Sequence, residues 1–298
     1  MAADPQAKLK AFRPGHSFYV GIDSDGCAFD TMEIKHKECF IPNIINYWDL
    51  QPVSKYAREA AEFVNLYSKW RGINRFPALL MVLDLLRERP EVKARRACIA
   101  DPVSLREWVK RETRLGNPTL QAEAEATGDL VLKHTLLWSE AVNTAIEDMV
   151  HGVPPFPFVR ESLEKLSGHA DVVVVSATPT EALEREWQEH DIARHASIIA
   201  GQELGSKAEH LALTAKGKYP PGHVLMVGDA PGDLKAAQAN GALFFPVDPG
   251  REEASWERFY REACDRFLAG KYTKEYEAGL IAEFDRLLPD VPPWKRKA

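Results

Sequence analysis

The chain has 298 residues, of which 45% are hydrophobic and 28% are charged, a globular composition with enough material for two domains. Its formal net charge of -6 gives no electrostatic basis for binding nucleic acid or an anionic membrane. No apolar run reaches the roughly 18–20 residues that span a bilayer. The four cysteines are scattered and form no C-x-x-C pair, and the N-terminus is polar and has no signal-peptide core. Both features predict a cytoplasmic protein.

The first predicted element is a short strand at residues 18–22 (FYVGI), an apolar run of β-forming residues. Over residues 30–150, apolar residues recur at three- and four-residue spacing, which predicts a helical segment without strands. Four consecutive valines at residues 172–175 then predict a strand buried on both faces. Further strands are predicted at SIIAG, VLMVG and ALFFPVD, with helices between them, and the pattern of residues 252–288 is helical.

This order predicts an α/β domain, Rossmann-like, made of residues 1–29 and 151–298 and interrupted by an all-helical domain of residues 30–150. Strands that alternate with helices specify a mainly parallel sheet with helices on both faces. Ligands of open α/β sheets bind beyond the carboxyl ends of the strands. Because the insert directly follows the first strand, we expect it to cover that edge as a cap.

Two carboxylates, Asp23 and Asp25, follow the first strand, with Gly26 directly behind them. In the turn that ends a strand, the two side chains can converge on one cavity. A metal ion or a retained proton would then relieve the repulsion between the two carboxylates. One carboxylate then serves as an anionic nucleophile, and the other, with a raised pKa, as a general acid and base. Taken alone, the pair is equally consistent with a solvated turn that contains Asx-type hydrogen bonds.

A hydroxyl closes the valine strand, at Ser176. There it can donate a hydrogen bond to an anion, with the next backbone amide, that of Ala177, as a further donor. The alternative is that this stretch only starts a helix, with Thr178 or Thr180 as the N-cap. Both interpretations are compatible, because a helix N-terminus is itself an anion site.

A lysine and a second acidic pair follow the next strands. Lys207 lies near a predicted helix start, where a lone lysine is usually a surface residue. Asp229 and Asp233 follow VLMVG, and one carboxylate at such a strand end can bind Mg²⁺. The alternative for this pair is a turn without a ligand.

In this order the motifs DSDG, VVVVS, GSK and GDAPGD resemble those of the haloacid dehalogenase-like hydrolase superfamily. The resemblance covers residues 16–30 and 152–250, and the helical insert looks like the C1 type of cap. It implies that Asp23 attacks phosphorus and forms an aspartyl-phosphate, while Asp25 acts as general acid and base. It also implies that Ser176 and Lys207 hold the phosphoryl oxygens.

The resemblance further implies a Mg²⁺ cofactor. The ion would lie on the Asp23 carboxylate, the Asp25 backbone carbonyl and Asp229, with support from Asp233 through water. The family's dehalogenases lack an aspartate two residues after the nucleophile, so Asp25 favours phosphate-ester chemistry.

Substrate-binding residues are expected in two places. Backbone amides at Gly26 and Ala177 lie beside the motif residues. In the insert, SKWRGINRFPAL is a glycine-broken loop whose Arg71, Asn74 and Arg75 can bind an anionic or hydroxylated leaving group. A helix–helix turn with solvated arginines is the alternative for this loop.

These features together predict a Mg²⁺-dependent phosphatase for a small phosphorylated metabolite, present as a monomer or homodimer, with no nucleic-acid or membrane partner. Two alternatives stay open. One is a sugar phosphomutase of the same superfamily, and the other is a member that binds a metabolite without turning it over.

Overall fold

The computed structural model describes residues 4–295, and the chain divides into two compact units. Within the described residues, the α/β unit consists of residues 4–31 and Gly152–Leu287, and the helical unit consists of Met32–His151 and residues 288–295. The sequence predicts the boundaries at 29/30 and 150/151 and assigns all C-terminal residues to the α/β domain. The structure differs in this last segment, because Trp294 packs against the helical unit.

Trp294 contacts two residues of the helical unit. Its ring centroid lies 5.8 Å from that of Phe63, and the Arg89 guanidinium lies 4.4 Å from the Trp294 ring. Arg89 also stacks on Tyr56, at 4.5 Å. Trp294 is thereby packed against the hydrophobic core of the helical unit.

The α/β unit contains a parallel five-stranded sheet with the strand order β3-β2-β1-β4-β5, which confirms the predicted fold class. The strands are β1 (Phe18–Ile22), β2 (Ala170–Val175), β3 (Ile198–Ala200), β4 (Val224–Gly228) and β5 (Leu243–Pro246). Each predicted apolar run forms one of them. The first two motif-bearing strands, β1 and β2, are neighbours, and β4 lies on the other side of β1.

The α-helices are numbered along the whole chain. They are α1 (Ala7–Ala11), α2 (Thr31–Ile34), α3 (Ile41–Tyr47), α4 (Ser54–Asn65), α5 (Arg75–Glu88), α6 (Pro90–Ala94), α7 (Val103–Arg111), α8 (Asn117–Thr127), α9 (Leu130–Met149), α10 (Val159–Leu166), α11 (Thr180–Glu189), α12 (Lys207–Thr214), α13 (Pro231–Ala239), α14 (Glu252–Arg258), α15 (Cys264–Leu268) and α16 (Lys274–Leu287). None of the helices among residues 4–295 has both the length and the apolar composition that crossing a membrane requires.

Both faces of the sheet are buried. Val172 and Val174 belong to a core with α10, α11, α14 and α15, whereas Val173 and Val175 belong to a second core with α1, α12 and α13. Alternate side chains of a strand point to opposite faces, so an unbroken valine run suits a strand covered on both sides. Each such buried side chain contributes roughly 1.5–3 kcal/mol relative to its exposed state.

The helical unit has a core of its own, and no strand occurs in its described residues. Helix α4 is amphipathic and buries one face of alanines with Phe63 and Val64. Helix α5 begins after Asn74, whose side chain accepts a hydrogen bond from the Phe76 N–H, the usual N-cap contact. The prediction of a strand-free helical segment is confirmed.

Candidate active site

The site lies at the carboxyl edge of the sheet, where Asp23 directly follows β1. The Asp23 N–H donates to the Val227 carbonyl of β4 at 3.0 Å, so the chain stays paired with its neighbour one residue beyond the strand. Asp23 is only 4% exposed. Its Oδ1 accepts the Ser24 N–H at 2.8 Å, which orients the carboxylate.

One ammonium group joins two of the acidic motifs. Lys207 Nζ lies 2.6 Å from Asp23 Oδ2 and 2.6 Å from Asp233 Oδ1. Lys207 is the first residue of α12, which begins at a capping box formed by Ser206 and Glu209. This start of the helix directs the lysine into the carboxylate cluster and away from the solvated position usual for a lone lysine.

Three buried carboxylates, those of Asp23, Asp229 and Asp233, offer ligand oxygens within 4.8 Å of one another. Burial raises the pKa of Asp23 well above its ordinary value; Lys207 opposes this shift, and the other two carboxylates add to it. Burial likewise raises the pKa of Asp233. Three acidic groups facing one lysine leave an excess of negative charge, and oxygen donors of this kind suit a hard divalent cation. The residues present therefore fit Mg²⁺.

The same three carboxylates shift the pKa of Lys207. Burial by itself lowers the pKa of its ammonium group, but Asp23, Asp233 and Asp229 outweigh this effect and raise that pKa above its ordinary value. The lysine is therefore charged at neutral pH. It supplies the positive charge that helps to keep a buried carboxylate ionised.

A close approach of β4 to α13 brings the second acidic pair to the site. A Cβ atom on Gly228 would lie 2.4 Å from the Asp233 Cβ, closer than real Cβ contacts occur. The second oxygen of Asp233 accepts the Ala230 N–H at 3.0 Å. Glycine at position 228 is thus required for Asp233 to reach Lys207.

Asp25 lies in a tight turn and is held by two hydroxyl groups. Thr31 Oγ1 donates to Asp25 Oδ1 at 2.6 Å, and Thr178 Oγ1 donates to Asp25 Oδ2 at 2.5 Å. Gly26 has a φ of 74°, a left-handed conformation that favours glycine, and its N–H donates to the Phe29 carbonyl at 2.8 Å. The turn therefore already uses the Gly26 amide that the sequence suggests as a substrate contact.

The predicted capping role of Thr178 or Thr180 is wrong. Helix α11 begins at Thr180 after Pro179, and neither threonine side chain caps it. Thr178 binds Asp25 instead, and the Thr180 hydroxyl donates to Glu203 at 2.9 Å. The short loop after β2 turns Thr178 towards the turn that carries Asp25, which local sequence patterns do not indicate.

Ser176 follows β2 and is 2% exposed. Its N–H donates to the Ala200 carbonyl at 3.0 Å, and its Oγ accepts the Thr178 N–H at 3.2 Å. Within residues 4–295, neither the Ser176 hydroxyl hydrogen nor the Ala177 N–H has an acceptor. These two donors can therefore bind an anion at the carboxyl edge of the sheet.

The residue between the two aspartates is anchored from α11. Ser24 Oγ donates to Glu186 Oε2 at 2.9 Å and accepts the Trp187 Nε1–H at 3.0 Å. Ser24 is fully buried, so these contacts fix the backbone segment that contains Asp23 and Asp25. Sequence reasoning missed this anchor, because nothing in the helical pattern of α11 marks Glu186 as a partner of the first motif.

A second indole N–H anchors the other end of the turn. Trp256 Nε1 of α14 donates to the Cys27 carbonyl at 2.7 Å. The Cys27 side chain is fully buried, and burial, with further effects from the nearby carboxylates, raises the pKa of its thiol well above the ordinary value. Such a thiol packs in the core and does not act as a nucleophile.

The three predicted cap residues lie in the helical unit. Arg71 is 3% exposed, and its Nη1 donates to the Leu66 carbonyl at 3.0 Å. Asn74 is the N-cap of α5, as described above. Arg75 occupies the first turn of that helix and bonds to residues of α9. The other predicted site residues all belong to the α/β unit.

Comparison with known protein families gives one match, over part of the chain. The model described as haloacid dehalogenase-like hydrolase matches residues 110–247, just under half of the chain, a range that includes Ser176, Lys207, Asp229 and Asp233. No curated protein sequence matches the chain. The family match confirms the resemblance stated from the motifs.

Three of the similar solved structures are described as a hydrolase, a putative phosphatase and a putative phosphomutase. A haloacid dehalogenase-like hydrolase from Streptococcus pneumoniae is 13% identical, with 82% of this chain and 91% of that chain covered and a TM-score of 0.48. A putative phosphoglycolate phosphatase from Lactobacillus delbrueckii is 13% identical, with coverages of 83% and 92% and a TM-score of 0.45. A putative β-phosphoglucomutase from Thermotoga maritima is 14% identical, with coverages of 77% and 84% and a TM-score of 0.37.

Proposed function

We propose that this haloacid dehalogenase-like hydrolase is a Mg²⁺-dependent phosphatase that removes phosphate from a small phosphorylated metabolite through an aspartyl-phosphate on Asp23. The observation that carries the proposal is the position of Lys207, whose ammonium group lies 2.6 Å from both Asp23 and Asp233. A buried nucleophilic carboxylate requires such a cation to stay ionised.

The nucleophile is oriented by two contacts on its two oxygens, the Ser24 N–H on Oδ1 and Lys207 on Oδ2. In the proposed reaction, Asp23 attacks phosphorus while the bond to the leaving oxygen breaks, and water then hydrolyses the aspartyl-phosphate. Asp23, Asp229 and Asp233 would hold Mg²⁺, with the Asp25 backbone carbonyl as a further ligand. The ion would neutralise negative charge on the cluster and on the phosphoryl oxygens.

The remaining residues of the α/β unit supply proton transfer and anion binding. Asp25 would protonate the leaving oxygen and then take a proton from the attacking water; Thr31 and Thr178 hold its carboxylate for both steps. Ser176 and the Ala177 amide would bind phosphoryl oxygens together with Lys207. Phosphoryl transfer depends mainly on positioning and charge stabilisation, which these donors provide.

The proposal also covers the helical unit, the cellular compartment and the oligomeric state. We propose that Arg71, Asn74 and Arg75 of the helical unit take part in substrate binding. All four cysteines are free thiols, which supports a substrate of the cytoplasm. We expect a monomer or homodimer.

The test is phosphate release by the purified protein with and without Mg²⁺, first from an aryl phosphate and then from sugar, nucleotide and amino-acid phosphates. We expect Mg²⁺-dependent turnover that Asp23→Asn abolishes without loss of folding, whereas the exposed control Asp285→Asn stays active. Full activity of Asp23→Asn would show that Asp23 is not the nucleophile. Turnover that depends on an added bisphosphate would identify a phosphomutase instead.

A further inference from the structure

Arg75 in the helical unit is anchored by one of its three nitrogens. Its Nη1 donates to the Ser139 carbonyl at 3.0 Å, to Ser139 Oγ at 2.9 Å and to Asn143 Oδ1 at 2.7 Å. Its guanidinium lies 5.0 Å from the centre of the Phe40 ring. Ser139 Oγ in turn donates to Asn117 Oδ1 at 2.6 Å. The guanidinium is thus held in one orientation by neutral acceptors and an aromatic face.

Four other arginines of this unit are paired with carboxylates. Arg87 and Arg106 pair with Asp84 and Asp101, Arg89 with Glu59 and Glu91, and Arg111 with Glu123. Among the described residues, no carboxylate pairs with Arg75.

The environment of Arg75 shows the same lack of a counter-charge. Burial lowers the pKa of its guanidinium to about 10, with no opposing contribution from an acidic group, so the side chain is still charged at neutral pH. A mostly buried cation without a counter-ion is costly, and most proteins compensate it.

Two nitrogens of the Arg75 guanidinium, Nε and Nη2, remain available to a ligand. Neither Nε nor Nη2 of Arg75 has a hydrogen-bond partner among residues 4–295, and neither is sealed from solvent, in contrast to Nη1 of Arg89. In a guanidinium, the Nε–H and one Nη2–H point in the same direction. This parallel pair of donors matches two oxygens of a carboxylate or a phosphate.

We propose that the Nε–Nη2 edge of Arg75 is an anion-binding site of the helical unit, which takes a carboxylate or phosphate group of a small molecule. The bound anion supplies the counter-charge that the chain does not provide. Ser139 and Asn143 act as positioning residues, because they hold Nη1 and thereby orient the free edge. The site does not depend on hydrolysis by the α/β unit.

The test is NMR of the arginine Nε–H groups in the full-length ¹⁵N-labelled protein, titrated with inorganic phosphate, with acetate, or with chloride at matched ionic strength. The Arg75 signal is identified by its absence from Arg75→Lys, and the Arg106 signal by its absence from Arg106→Lys. We expect phosphate, acetate or both to shift the Arg75 signal saturably, whereas the carboxylate-paired Arg106 stays in place. The anion that saturates at the lower concentration identifies the preferred group.

Asn143→Ala provides a second variant, which keeps the guanidinium and removes one of its anchors. We expect the Arg75 signal still to shift, at a higher anion concentration. The NMR titration measures binding without Mg²⁺ or turnover, whereas the phosphatase test measures phosphate release, so failure of this site and failure of the proposed phosphatase are separate results. The absence of a saturable Arg75 shift with both anions, or an equal shift of Arg106, would overturn the proposal.

Discussion

Lys207 Nζ lies 2.6 Å from Asp23 Oδ2, although 184 positions separate the two residues along the chain. The same ammonium group lies 2.6 Å from Asp233 Oδ1, so one lysine connects the first and last acidic motifs. Because both carboxylates are buried, removal of the lysine leaves uncompensated negative charge inside the protein. The pair therefore links the stability of the α/β unit to its proposed chemistry.

Lys207→Met is expected to abolish phosphatase activity and to lower the free energy of unfolding by about 3–5 kcal/mol, the usual cost of breaking a buried ion pair. Urea unfolding and phosphate release measure the two effects. Lys235→Met removes an exposed lysine of α13 and is the matched control, with an expected change within about 0.5 kcal/mol. A Lys207→Met protein as stable as the wild type would show that the ion pair contributes nothing net.

Mg²⁺ is expected to raise the thermal unfolding midpoint, because the ion binds the folded carboxylate cluster and not the unfolded chain. At a concentration about 100-fold above the Kd, such binding adds about 2.7 kcal/mol. Calorimetry with MgCl₂, then with excess chelator, measures the effect and its reversal. Asp229→Asn should lose most of this stabilisation, whereas Asp285→Asn should retain it. An equal response of both variants would place the ion elsewhere.

The contacts of Ser24 predict a positioning role for Glu186. Ser24→Ala and Glu186→Gln are each expected to lower kcat with little change in KM, because the backbone carrying Asp23 and Asp25 loses an anchor. The double variant should lose less than the sum of the single losses, because Ser24→Ala removes the donor and Glu186→Gln weakens the acceptor of the same hydrogen bond. Glu181→Gln, at an exposed position of α11, is the control. Additive losses would mean that the two residues act independently.

Stability is expected to fall in mild acid because of His210 on α12. This side chain is fully buried, and burial lowers its pKa from 6.5 to about 4. Between these values the unfolded chain binds a proton that the folded protein excludes, so the free energy of unfolding decreases as pH falls from 6.5 towards 4. Urea unfolding at several pH values measures this slope.

The slope is assigned to His210 by comparing variants. His210→Met should flatten the pH dependence over this range, whereas His151→Gln, which removes an exposed histidine, should leave it unchanged. Identical slopes for His210→Met and the wild type would assign the acid sensitivity to other groups.

Much of the fold and the core of the site could be predicted from the sequence. The valine run predicts β2, because a strand covered on both faces has no polar alternation. The motifs after β1, β2, β3 and β4 predict one site, because parallel strands end at a common edge of the sheet. Asp23, Lys207, Asp229 and Asp233 do lie together, as the order of motifs indicates.

Other features depended on the tertiary structure alone. The sequence pattern predicts a helix cap at Thr178 or Thr180, whereas Thr178 binds Asp25, and Glu186 anchors Ser24 across 162 positions. Trp294 joins the helical unit although it follows the last helix of the α/β unit. Local sequence periodicity records which face of an element is buried, and so it determined the strands, the helices and the strand-end motifs. A hydrogen bond between distant residues leaves no such periodicity, so only the packing of the folded chain decided which side chains support the turn that carries Asp23 and Asp25.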